Sequence, residues 1–169
     1  MPNTKSLLIL KNDNTLILDN FIFRCAIGQN KTTNAKIEGD RKTPKGKFNI
    51  GKLFYRKDRV SVPNTELKCI PIKKTMCWCN DINSKENYNK LINCSKKVSY
   101  EKLYRHDYKY NFLIPILFNT KKIKLGKGSA IFIHLTNNYK PTAGCITLKH
   151  NDFIILLRLI NKNTQILIT

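Results

Sequence analysis

The stretch Ala130–Leu148, AIFIHLTNNYKPTAGCITL, decides how this chain is read. An apolar run ends at His134, a turn-rich connection follows, and a second apolar run begins at Cys145. Two such runs joined by a short connection are commonly neighbouring strands of one sheet. His134, one of only three histidines, is expected to close its strand and emerge from the core beside a loop. Cys145 follows KPTAG, which is turn chemistry, so it is expected to open a strand at a rim. A cysteine nucleophile needs a base, backbone donors for an oxyanion, and access for substrate. Gly144 lets the backbone approach a ligand and can add a free N–H beside that of Cys145. The same residues also suit a buried histidine and a half-buried thiol that share a core, and this stretch alone leaves both readings open.

Working outward, SLLIL and TLILD are apolar runs separated by KNDN, which suits a hairpin. FIFRCAIG reads as a third strand, KFNI as a short one among the punctuation of Gly39, Pro44, Gly46 and Gly51, and LKCIPI as an edge strand because Pro71 lacks a ladder donor. YNFLIPILF and the closing TQILIT complete the strand set. HNDFIILLRLINKN is the one firm helix, with Asn151 as the expected N-cap and Asp152 in the first turn. The class is mainly β, and the 169 residues read as one domain. Residues 73–110 show neither helical nor strand periodicity, yet Trp78, Tyr88, Tyr100, Tyr104 and Tyr108 argue against disorder. A folded flap is expected there, covering one side of the Cys145 cleft and bringing Trp78 and Tyr88 to the substrate.

The formal charge of +20, from 31 Lys and Arg against 11 Asp and Glu, attracts polyanions. The lysines are scattered among Asn and Ile with no helix-turn-helix spacing, zinc finger or RNP-like strand, so diffuse surface charge is expected rather than a specific nucleic-acid site. No apolar run approaches the about 18 to 20 residues that span a bilayer. Leu7–Leu10 is too short for a signal-peptide core, no small-residue cleavage site follows, and Met1 speaks against a trimmed mature form. On its residues alone the chain looks cytosolic, or is exported by a route that its sequence does not show. Of the six cysteines, Cys77, Cys79 and Cys94 have poor spacing for a metal, and no metal or cofactor is expected. The chain is long enough to need no disulfides, and the cysteines other than Cys145 read as core or surface bystanders.

HLTNNYKPTAGCITL resembles the active-site stretch of the L,D-transpeptidase catalytic-domain family, in which a histidine precedes a Ser/Thr-His-Gly-Cys run and a hydrophobic residue. The upstream EGDRKTPKGKFNI resembles the family's Gly-Asp…Thr-Pro-x-Gly-x-Phe stretch, with Gly39, Asp40, Thr43, Pro44, Gly46 and Phe48 in register. WCND…YN and GKGSAIFIH are similar to a Gram-negative branch. The resemblance implies a β-sandwich or barrel-like mixed sheet with a C-terminal helix, and acyl transfer on peptidoglycan stem peptides without a cofactor. It implies Cys145 as nucleophile and His134 as base, oriented by the Leu135 carbonyl, with Thr142 and Gly144 shaping the site. It further implies carbapenem sensitivity and a periplasmic or envelope location. Two positions depart from the family: Ala143 replaces a histidine, and Thr147 replaces a polar or Arg residue that would contact a substrate carboxylate. Alternatives are a carboxypeptidase or amidase using the same dyad, and a non-catalytic basic module that binds polyanions.

Overall fold

The computed structural model describes residues 6–169; the start of the segment weighed above for export, residues 1–5, lies outside the described residues. The chain opens with β1 (Leu7–Lys11), β2 (Thr15–Leu18) and β3 (Phe21–Ala26). Short strands follow: β4 (Thr32–Thr33), β5 (Thr43–Pro44), β6 (Gly46–Asn49), β7 (Leu53–Tyr55) and β8 (Cys69–Pro71). The middle holds β9 (Met76–Cys79), β10 (Leu91–Asn93) and β11 (Tyr100–Lys102). The last third holds β12 (Phe112–Pro115), β13 (Phe132–Leu135), β14 (Ile146–Leu148), α1 (His150–Leu159) and β15 (Gln165–Ile168).

KNDN turns β1 into β2 as expected, with Lys11 opposite Thr15 and Asn12 in the left-handed conformation that Asn tolerates. A ten-stranded mixed sheet runs β6-β15-β1-β2-β3-β14-β13-β12-β7-β8. β8 lies at an edge, where Pro71 removes no ladder bond. The sheet curls back on itself: Gly51 N–H donates to the Pro115 carbonyl at 2.7 Å, and Leu117 N–H donates to that of Asn49 at 2.8 Å. The chain leaving edge strand β6 is thus bonded to the chain leaving β12, deep in the order of strands.

The central strands are buried on both faces, which is why their sequences read as continuous apolar runs. Alternate residues of β12, β13 and β14 (Phe112 and Ile114, Ile133 and Leu135, Ile146 and Leu148) enter one core with Phe153, Leu156 and Leu157 of α1. The intervening residues Leu113 and Phe132, with Cys145 just before β14, enter a second core against Trp78, Leu103 and Tyr110. Two structural expectations need correction. His134 is the third residue of β13 and buried, not at a strand end, because parallel pairing with β14 carries the strand on to Leu135. Lys149, not Asn151, occupies the N-cap of α1, with no side-chain cap bond, since only one residue separates β14 from the helix. Asp152 does stand in the first turn.

Residues 73–110 are more regular than their sequence suggests, for they contain an antiparallel sheet ordered β10-β9-β11. Its strands of three or four residues are too short to register a period. A disulfide joins Cys77 of β9 to Cys94, just past β10. Two of the six cysteines are therefore not bystanders, and the Cys77, Cys79, Cys94 metal set is excluded because two of its thiols are bonded to each other. The bridge spans 17 residues, and constraining that loop in the unfolded chain stabilises the fold by about 3 kcal/mol. A Cys77→Ser/Cys94→Ser variant should lose about 2 to 4 kcal/mol in urea denaturation.

Candidate active site

Parallel pairing sets Ile133 beside Ile146 and His134 beside Thr147, so Cys145 lies level with Phe132, one rung short of β14. Side chains alternate along a strand, and His134 and Cys145 therefore share the face turned away from α1. Both line a cavity of about 430 Å³. Asn80, Glu101, Arg105, Lys109 and Tyr110 contribute one wall, so residues 73–110 do flank the Cys145 cleft. Trp78 and Tyr88 do not reach it. Trp78 packs edge-on to Phe132 and donates through Nε1 to Asn89 at 2.9 Å. Tyr88 is fully buried, donates to the Glu38 carboxylate and accepts from Gly128 N–H. Substrate contact by these two rings is corrected to support from behind the wall.

The Cys145 thiol donates to the Ala130 carbonyl and accepts from Phe132 N–H, both at 3.4 Å. Burial pushes that thiol up to about 12, with the nearby Glu101 charge acting in the same direction. Nδ1 of His134 lies 3.0 Å from the Leu135 carbonyl. A carbonyl oxygen can only accept, so Nδ1 carries the proton and the Nε2 lone pair is left available. Burial lowers the imidazole to about 4, against the raising effect of that hydrogen bond. The resting pair is thus a neutral thiol and a neutral imidazole. The Tyr110 ring packs edge-on to His134 at 4.9 Å, and its hydroxyl donates to Glu101 Oε1.

The turn before Cys145 is held from two sides. Thr142 Oγ1 donates to the Cys145 carbonyl at 2.6 Å and accepts from Gly144 N–H at 3.0 Å. Gly144 N–H is therefore occupied rather than free, contrary to the expectation for an oxyanion donor. Gly144 has φ of +140°, and a Cβ there would meet the Lys42 carbonyl at 2.8 Å. Thr43, fully buried, donates through Oγ1 to the Gly144 carbonyl at 2.8 Å and accepts from Gly28 N–H at 2.9 Å. Asp40 orders the approach to Thr43 by accepting from Lys36, Ile37 N–H and Lys42 N–H. Of the two departures, Ala143 lines the cavity, and Thr147 lines it with a buried hydroxyl that has no hydrogen-bond partner among the described residues. Glu101 and Tyr110 carry no signal as site residues in the sequence, because folding of the long middle segment brings them to the cavity, whereas Thr43 belongs to the upstream stretch singled out above.

No group of three or more His, Cys, Asp and Glu among the described residues is arranged to hold a metal, and no described helix is long and apolar enough to cross a membrane. The chain matches the L,D-transpeptidase catalytic domain over residues 2–168. It belongs to that family. No curated protein matches it. Among solved structures it is similar to L,D-transpeptidase 1 of Mycobacterium tuberculosis at 11% identity and TM-score 0.43, over 97% of this chain and 61% of the other. It is also similar to an L,D-transpeptidase of Mycobacterium smegmatis at 12% identity and TM-score 0.39, over 98% of this chain and 58% of the other. The chain thus spans less than two thirds of the length of either.

Two outcomes test the geometry of this L,D-transpeptidase domain. Thr43→Val leaves Gly28 N–H and the Gly144 carbonyl buried without their partner, which should cost at least about 2 kcal/mol in urea denaturation. His134 is held below its usual 6.5 at about 4, so its contribution is present above pH 6.5 and lost as pH falls towards 4. Denaturation midpoints measured across that window should fall more steeply for the parent than for His134→Gln.

Proposed function

We propose that this domain transfers acyl groups between peptidoglycan stem peptides, with Cys145 as nucleophile and His134 as base. The observation that carries the reading is one cavity lined by the Cys145 thiol and by an imidazole whose Nδ1 proton is committed to Leu135. Nε2 takes the thiol proton as sulfur attacks the carbonyl that precedes a terminal D-amino acid. Because the thiol is held up and the imidazole down, proton transfer accompanies attack rather than preceding it. The imidazolium then protonates the departing amine as the C–N bond breaks, which leaves a thioester. An acceptor amine passes a proton to Nε2, attacks the thioester and releases Cys145, which recovers its proton.

The Cys77–Cys94 disulfide supports an oxidising location, in keeping with a cell-envelope substrate. Gly144 N–H serves an oxyanion only if Thr142 Oγ1 releases it, so the turn must adjust when substrate enters. The single domain is assigned residues 1–169, with residues 73–110 as its flap.

Incubation with a stem tetrapeptide and an acceptor peptide, read by mass spectrometry, should give a cross-linked product. A product shortened by one residue with no cross-link would make the protein a carboxypeptidase instead. A carbapenem should acylate Cys145 alone, and Cys145→Ser should form no adduct. His134→Gln should slow acylation about 10²- to 10⁴-fold. His106 and His150 do not line the cavity, so His106→Gln and His150→Gln should acylate at the parent rate.

A further inference from the structure

The cavity holds two carboxylates, and they are not equivalent. Glu38 accepts at Oε2 from the hydroxyls of Tyr88 and Ser129, which leaves its Oε1 without a hydrogen bond from a described residue, but the carboxylate charge that bears on Cys145 is that of Glu101. Glu101 uses Oε1 for the Tyr110 hydroxyl, while Oε2 accepts no hydrogen bond from a described residue and is not among the sealed, unpartnered atoms of the fold. The neighbouring cation does not neutralise Glu101 closely. Arg105 Nη1 stands 4.0 Å from Oε1, whereas Arg105 Nη2 pairs with Asp107 at 2.6 Å. Glu101 therefore presents a half-buried charge with one open oxygen to the same cavity as Cys145.

We infer that Glu101 is a specificity residue whose open oxygen accepts a hydrogen bond from a primary ammonium group on the peptide substrate. Burial holds the Glu101 carboxyl above its ordinary range, against the lowering effects of Tyr110 and Arg105, and a bound ammonium supplies a closer cationic partner than Arg105 at 4.0 Å. The same contact favours the reaction. The Glu101 charge opposes ionisation of Cys145, so an ammonium seated on Glu101 screens that charge and eases loss of the thiol proton. Glu101 thus couples recognition of an amine-bearing peptide to activation of the nucleophile. Lys109 and Lys140, on the same cavity and without ion pairs among the described residues, would repel that ammonium, so Glu101 also fixes which part of the mouth it uses.

The inference rests on the transpeptidase reading for the nature of the ligand, and its test is kept independent of turnover. Binding is measured by calorimetry in Cys145→Ala, using a synthetic tetrapeptide with a side-chain amine at its third residue and the same peptide acetylated on that amine. The free amine should bind about tenfold more tightly, the worth of one charge-assisted hydrogen bond. Glu101→Gln retains an acceptor for Tyr110 but lacks the charge, and should bind both peptides alike. Glu101→Asp retains the charge and should keep part of the preference even if Glu101→Gln folds poorly. Equal affinities in Cys145→Ala, or an undiminished preference in Glu101→Gln, overturn the inference. Absence of any Cys145 acylation in the parent would instead overturn the transpeptidase reading and leave the ammonium result standing.

Discussion

A single hydroxyl, that of Thr43, joins three parts of the chain that are far apart in sequence. It donates to the Gly144 carbonyl and accepts from Gly28 N–H, and all of this lies in the dry interior. Because Gly28 and Thr142 also form a bridge, the loop after β3, the loop around β5 and the turn before β14 make one unit. Cys145 has its position because that unit cannot shift without leaving buried polar groups unpaired. The Thr-Pro-x-Gly stretch upstream is thus part of the scaffold of Cys145, although the hydrogen bonds of the thiol itself go to Ala130 and Phe132.

Burial defines the chemistry of the pair. A sheet covered by α1 on one face and by β9 to β11 on the other leaves no solvated side for β13 and β14. His134 and Cys145 consequently sit with neutral side chains. The thiol keeps its proton in the resting site, and Nε2 of His134 carries none. The Leu135 carbonyl makes this possible by fixing the tautomer, a role that a carboxylate would fill only by adding another buried charge.

Residues 73–110 build one wall of the cavity. Its disulfide, its short sheet and the aromatic support of Trp78 and Tyr88 hold Glu101 and Tyr110 against the dyad. Two small residues, Ala143 and Thr147, line the same cavity. The flap contributes Asn80, Glu101, Arg105 and Lys109 to the polar lining of that cavity.

The mainly β class, the β1–β2 hairpin, the edge position of LKCIPI and the single helix were legible in the residues, because apolar period, turn composition and the missing donor of Pro71 act locally. The pairing of β13 with β14 was legible too, from two apolar runs joined by a short turn. The depth of His134, the occupied N–H of Gly144, the Cys77–Cys94 bridge and the placement of Glu101 and Tyr110 were not. Each depends on which distant segment packs over the second face of the sheet, and a sequence read by local period does not specify that partner. What the sequence by itself determined is a sheet with a cysteine and a histidine on neighbouring strands. Only the tertiary structure decided that the pair is buried and neutral and faces a wall with an open carboxylate, because burial and charge proximity are properties of packing.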